Sequence, residues 1–401
     1  MSGKSAKVFI FFTLIAATAA LLAGVTFYYF FLEKNSVTTI SQIESNNSLP
    51  LLLPAGFRAG IYAAKLPGAR VMIFGPDGHL WVSQTSEGRV VSLIDRDGDG
   101  FAEQTLPMIT GLNKPHGLAN RCEEYFCQLY VAEEDKVSVY EYDLMTKTLR
   151  GKRVILELPS GGGHYTRSLL LRPYPHQDDL LIAVGSSCNV CVERDSRRAA
   201  VLAYNLKTGE VRPFATGLRN SVFMAIQPVT GEVWATEMGR DWLGDDLPPD
   251  EINILKEGGN YGWPICYGQN VPDLDFNQGA FTEKLCAEPF ELPSHIDIPA
   301  HSAPLGLDFF PEEGWPEDFW YNALVAYHGS WNRSKPTGYK VVRFKLTADG
   351  RYLGEDDFVT GFWRNGEAWG RPAGILISPG GVIYISDDKA GAVYRIVKDL
   401  N

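Results

Sequence analysis

His164 follows a Gly161-Gly-Gly run and stands three residues before Arg167 in this 401-residue chain, so a flexible backbone delivers an imidazole beside a permanent positive charge. Neighbouring cations disfavour protonation of the ring, and a neutral imidazole is equipped to act as a general base. Arg219-Asn220 and Arg371 extend the pattern further along the chain. A guanidinium binds carboxylates through two parallel hydrogen bonds and keeps its charge at any working pH, so these arginines suit a small polyanionic or quinone-carboxylate ligand. His116 and His301-Ser302 complete a set of stretches far apart in sequence and alike in type.

A repeat is what could gather them. A small or apolar run, a Pro/Gly/Asp turn, a second apolar run and a charged or glycine-containing loop recur six times. The first copy is Arg70-Val-Met-Ile-Phe-Gly-Pro-Asp-Gly-His-Leu-Trp-Val-Ser83 and the last begins at Pro372, with equivalents near Pro115, Thr166, Ser221 and Pro304. Each phrase makes strands too short to bury their own faces, so the units must stack about an axis and share a core. The expected fold is all-β, a six-bladed β-propeller of four-stranded antiparallel blades, with a β-sandwich of six hairpins as the alternative. Longer gaps before Pro304 and Pro372 imply inserted loops. Only three strands follow Pro372, whereas Phe57-Arg-Ala-Gly-Ile-Tyr-Ala-Ala64 precedes the first repeat without a blade of its own. That segment is expected to supply the outer strand of the last blade and so hide a sheet edge.

In a propeller the loops leading into the inner strands share one face with the loops after the second strands. The same ring therefore receives Glu134-Asp-Lys136, Ser186-Ser-Cys-Asn189, Glu237-Met-Gly-Arg240, His328-Gly-Ser-Trp-Asn-Arg333 and Asp387-Asp-Lys389.

Residues 8–32 form an uncharged apolar run, long enough as a helix to cross a bilayer core of about 30 Å. Ala17-Thr-Ala19 offers a small-residue cleavage pattern, but the run continues through Phe31, too long for an ordinary signal sequence. We expect a cytoplasmic stub and single N-terminal transmembrane helix over residues 1–34, a tether over 35–54 and the propeller over 55–401. Lys4 and Lys7 ahead of the helix place the propeller outside, on the periplasmic or extracellular side. Six cysteines agree with an oxidising compartment. Their spacing suggests Cys122 with Cys127, Cys188 with Cys191 and Cys266 with Cys286, although sequence alone leaves connectivity open. Cys188-Asn-Val-Cys191 lacks both a second CxxC and a following histidine, which argues against a zinc ribbon or haem attachment. A formal charge of -11 with no basic stripe excludes a nucleic-acid partner.

His164-Tyr-Thr-Arg-Ser-Leu-Leu170, Gly217-Leu-Arg-Asn220, Glu237-Met-Gly-Arg240 and Asp250-Glu-Ile-Asn-Ile-Leu-Lys-Glu-Gly-Gly-Asn-Tyr-Gly-Trp-Pro264 together resemble the soluble glucose/L-sorbosone dehydrogenases that use pyrroloquinoline quinone (PQQ). The resemblance runs over about residues 55–398, and the Asp250-to-Pro264 string is its most specific part. It implies that His164 takes the proton from a sugar hydroxyl while hydride passes to the quinone. Arg219 and Asn220 would hold the cofactor, Arg371 would pair with its carboxylates, and Arg167 would lie close by. Backbone carbonyls of Gly239 and Arg240 would bind the calcium that polarises the quinone, and Glu251 with the backbone near Tyr261 would hold a further structural calcium. The chain departs from the glucose enzymes at Gly163, where they carry Asp, and at the quinone-contacting Lys, whose candidate substitute is Arg333. Both departures point to a sorbosone-like or pyranose substrate, a sugar or sugar-derived aldehyde. An anchored enzyme of this kind would pass electrons to a membrane quinone or a cytochrome.

Asp95-Arg-Asp97-Gly-Asp99-Gly100 resembles the start of an EF-hand loop, but Leu106 occupies the position of the bidentate glutamate. We read it as a surface loop able to hold a structural calcium. Two rivals remain on the same fold. A calcium-dependent lactonase needs acidic groups at the axis, where this chain offers His and Arg. A binding module needs an exposed aromatic patch, for which Trp331, Trp363 and Trp369 are the candidates.

Overall fold

The computed structural model of the chain describes residues 49–276 and 282–399. The expected membrane helix lies outside the described residues. Among those described, no helix is long and apolar enough to cross a membrane.

Among the described residues, six blades of four antiparallel strands follow one another along the chain, the third extended by a two-residue parallel strand. Their inner strands are Ala69–Phe74, Leu118–Cys122, Arg167–Leu171, Ser221–Ile226, Pro304–Phe309 and Pro372–Ser378, which we number as blades 1 to 6. Blade 6 takes its outer strand from Phe57–Ala64, which pairs antiparallel with Ala392–Lys398, so the expected splice of the two chain ends is present. Leu51 is buried and Leu52 N–H donates to Thr360 O, so the last residues of the expected tether pack on blade 5.

The Pro-Asp-Gly turn of blade 1 shows how the sequence sets a hairpin. Asp77 accepts from His79 N–H at 3.2 Å and from Trp81 Nε1 at 2.9 Å, coupling turn geometry to a fully buried indole. Apolar residues alternate along the strands and meet those of the next blade, as where Trp234 of blade 4 packs edge-on against Phe309 of blade 5.

Register shifts mark the inner strands of blades 1, 4, 5 and 6, each near the end that opens on the expected ring. A bulge frees backbone groups from the ladder, and they need other partners. A buried hydroxyl on the second strand supplies them three times: Ser83 Oγ accepts from Val71 N–H, Thr236 Oγ1 from Phe223 N–H and Ser386 Oγ from Gly374 N–H. Thr236 also donates to Leu305 O and Ser386 to Arg70 O, each on the next inner strand. The inner strands approach so closely that a Cβ at Gly374 would overlap Arg70 O.

The insertion between Leu255 and Ile296 carries a two-stranded hairpin, Cys266–Tyr267 with Val271–Pro272. Its segment Gly259–Asn260 pairs with the outer strand of blade 3, bracing blades 3 and 4 together. All three suggested disulfides are present.

Candidate active site

A cavity of about 260 Å³ opens where the bulged ends of the inner strands converge. His164, Arg219, Gly239, His301, His328 and Arg371 line it, so most of the expected ring is brought together.

His164 sits on the loop before the blade 3 inner strand. Its Nδ1 lies 3.0 Å from Ser186 O and 2.9 Å from Ser186 Oγ, whose own hydrogen goes to Cys188 O. Both partners can only accept, so Nδ1 carries the proton and Nε2 keeps its lone pair. Burial, then the charges of Arg219, Arg167 and Arg198, push the ring down to about 3, and it is neutral at any ordinary pH.

Arg219 donates through Nε to Asn189 O and through Nη2 to Asn189 Oδ1 and Asp241 Oδ2. The Cys188–Cys191 disulfide closes the loop that presents Asn189, which gives that bridge a place in the site. Arg371 donates through Nε to His328 O at 3.0 Å and also bonds Gly329 O. Its guanidinium lies over the Tyr339 ring, 5.4 Å from the centroid. Asp250 forms part of the wall, accepting from Gly239 N–H at 2.8 Å and Ala303 N–H at 2.8 Å, and burial pushes it up to about 7. The bend that delivers Ala303 N–H puts both His301 and Ala303 at positive φ, 65° and 53°.

The remaining expected residues are placed differently. Arg167 is fully buried and donates to His164 O, Thr166 O and Pro159 O, so it braces the His164 loop from beneath and does not line the cavity. Arg333 bonds Ala300 O and pairs with Asp246 at 2.7 Å, and it does not line the cavity. Asn220 lies behind the wall, with its N–H on Glu237 Oε1 and its own Oδ1 buried and unpartnered. Trp369 is buried against Phe362 and belongs to the core.

Behind Gly239 and Arg240 is a small acidic pocket that includes Glu237, Glu251 and Tyr261. Arg240 forms an ion pair with Asp273 at 2.7 Å there. Burial pushes Glu237 up to about 8 and Glu251 up to about 7. Glu291, which the sequence did not single out, is buried beside Glu251 with neither carboxylate oxygen partnered, and burial followed by the Glu251 charge pushes it up to about 8. Carboxylates so placed want either protons or a hard cation with oxygen ligands. On the opposite face, in the connection after the third strand of blade 1, Asp95, Asp97 and Asp99 gather with Glu103, within 4.8 Å of one another. Backbone N–H groups of Gly98, Asp99, Gly100 and Phe101 already occupy several of their oxygens.

Residues 51–399 match the TrAA12-like family over nearly the whole described propeller. The chain belongs to the TrAA12-like family. A protein of Borreliella burgdorferi described as uncharacterized is 29% identical over 375 residues, covering 90% of this chain and 94% of its own. A PQQ-dependent sugar dehydrogenase of Hypocrea jecorina is 26% identical over 339 residues, 71% of this chain and 76% of that one. The calcium structure of the Trichoderma reesei family AA12 enzyme superposes with a TM-score of 0.75 at 22% identity, covering 87% of this chain and 97% of that one. The holo PQQ domain of Coprinopsis cinerea pyranose dehydrogenase gives 0.73 at 23% identity over the same shares. At such identities the superpositions establish the fold. For this TrAA12-like chain they bear out the six-bladed propeller, and the family match bears out the resemblance to PQQ-dependent sugar dehydrogenases.

Proposed function

We propose that this TrAA12-like protein is a PQQ-dependent oxidoreductase that oxidises a pyranose or a sugar-derived aldehyde. The observation that carries the reading is a neutral imidazole and two arginines on one cavity, with the imidazole proton fixed on the far nitrogen. The quinone, when bound, supplies the hydride acceptor. His164 Nε2 takes the proton of the reacting hydroxyl, and Ser186 holds the ring in the tautomer that permits it. The charges that keep His164 neutral are those a polyanionic cofactor would offset, so binding would raise the basicity of Nε2.

Arg219 and Arg371 are the residues that would hold the cofactor, with Asn220 supporting the wall behind them. The fit rests on charge: Arg219 is buried and Arg371 partly so, and the desolvation that lowers their affinity for a proton is relieved by a nearby anion. Gly239 and Arg240 would offer backbone oxygens to a calcium facing the cavity. Glu251 and Glu291, with the backbone near Tyr261, would hold a second calcium, because a buried carboxylate with both oxygens orphaned beside a second buried carboxylate matches a hard cation. Asp95, Asp97 and Asp99 are the candidates for a peripheral one.

The apolar segment over residues 8–32 would anchor the protein, with the domain boundaries given above and the propeller on the outer side, a placement the three disulfides support. Electrons would leave to a membrane quinone or cytochrome. The test is titration of the full-length protein with PQQ, with and without calcium, followed by dye reduction on a panel of aldoses and sorbosone. Saturable binding with turnover lost in His164→Ala is expected, and absence of PQQ binding would overturn the reading.

A further inference from the structure

Trp242 and Trp331 stand at the cavity mouth with 69% and 66% of their surfaces exposed, their rings edge to face at 88° and 5.3 Å between centroids. Trp331 lines the cavity and Trp242 does not, so the pair runs from the mouth outward. Exposing two indoles costs solvation. The backbone adds to that cost, because Trp242 is held at φ 75°, a region a bulky side chain rarely enters.

The bend is fixed in place by its neighbours. Asp241 N–H donates to Asn189 Oδ1, Asp241 Oδ2 accepts from Arg219 Nη2, and Asp241 Oδ1 accepts from Asn332 Nδ2 at 2.9 Å. The loop bearing Trp242 is thereby tied both to a cavity arginine and to the residue after Trp331. Because Asn332 donates through Nδ2 to a carboxylate, its other amide atom is an acceptor, and that Oδ1 is buried without a partner. An unfilled acceptor is itself unfavourable, and a ligand hydroxyl would satisfy it.

Aromatic faces beside an empty amide acceptor match the two surfaces of a sugar, its C–H face and its hydroxyls. Size extends the argument. At about 260 Å³ the cavity is smaller than the roughly 300–1,000 Å³ of pockets that enclose a whole small ligand. A sugar sharing it with a cofactor projects into the mouth, where a ring in the cavity reaches Trp331 and only a second ring reaches Trp242.

We propose that Trp242 and Trp331 form a two-ring sugar platform, so that the preferred substrate is a di- or oligosaccharide entering by its reducing end. This rests on the sugar-oxidising reading above. The test is affinity of the full-length protein for glucose, maltose and cellobiose by saturation-transfer NMR, with and without PQQ, beside a separate PQQ titration. Wild type should prefer at least one disaccharide over glucose by roughly tenfold, a stacking-sized effect. Trp242→Ala should erase that preference and Trp242→Phe should keep most of it, while PQQ affinity holds in both. Equal affinity for glucose and both disaccharides, or a preference that survives Trp242→Ala, overturns the platform. A loss confined to reduction of cytochrome c would assign the pair to partner docking and overturn it too. Failure of PQQ binding with an intact, Trp242-dependent disaccharide preference would sink the quinoprotein reading and leave the platform standing.

Discussion

His328 Nε2 donates to Asp388 Oδ1 at 2.8 Å, and the other oxygen of the same carboxylate meets Arg70 Nη1 at 2.6 Å. His328 follows the second strand of blade 5, Asp388 follows that of blade 6, and Arg70 lies on the inner strand of blade 1. One carboxylate therefore ties three successive blades together across the seam where the ring closes. Burial alone would raise Asp388, but His328 and Arg70 outweigh it and hold the carboxyl well below its usual range.

Asp388→Asn would leave Arg70 buried without its counter-charge. We expect a loss of about 3–5 kcal/mol in urea unfolding, with the double variant Arg70→Met/Asp388→Asn recovering much of it. A single variant as stable as wild type would show that the seam does not depend on this pair.

His328 should make the fold acid-sensitive. Burial, with Arg371 and Arg70 adding to it and Asp388 opposing, pushes the ring from 6.5 down to about 4. The unfolded chain accepts a proton near pH 6.5 that the folded chain refuses until about pH 4, so stability falls as pH drops through that window. The full effect is on the order of 3 kcal/mol. His328→Asn keeps a donor for Asp388 and should flatten the melting-temperature profile between pH 7 and 5; an unchanged slope would remove His328 as its source.

His164→Asn should reduce turnover by roughly 10²–10⁴-fold while the PQQ saturation curve is retained. Ser186→Ala removes the hydroxyl partner of the Nδ1 proton and leaves the backbone carbonyl, so it should cost less, with the loss appearing in kcat more than in KM. Full activity in His164→Asn would move the proton acceptor to another group.

Calcium should raise the melting temperature of wild type, because a ligand bound only by the folded state stabilises it. Glu291→Gln should remove most of that rise. Without calcium the variant should be no less stable than wild type, since it deletes a buried carboxyl with no hydrogen-bond partner. A calcium response of the same size in the variant would place the ion elsewhere.

The propeller was legible because its signals are local: turn residues at regular spacing, apolar alternation and an unpaired strand at each end of the chain. The ring of candidate residues followed from topology alone, which brought His164, Arg219 and Arg371 to one cavity. What sequence does not carry is orientation. Arg167 and Arg333 sit at positions the repeat assigns to the site, and backbone carbonyls and Asp246 hold their guanidiniums. Glu291 carried no motif, since its role depends on how the insertion folds back on Glu251. Trp242 could not be read as exposed, because the positive φ that turns it outward leaves no mark in composition. The hydroxyls of Ser83, Thr236 and Ser386 did leave one: each ends an aromatic-apolar-hydroxyl triplet on a second strand.

The pairing of Phe57–Ala64 with Ala392–Lys398 sets the order in which the molecule can be completed. During synthesis the first strand emerges hundreds of residues before its partner exists, so its edge must wait unpaired while five blades form. Ring closure can then happen only once the strand Ala392–Lys398 has left the ribosome, and a chain cut before Ala392 would keep an open, aggregation-prone edge at both ends of the seam.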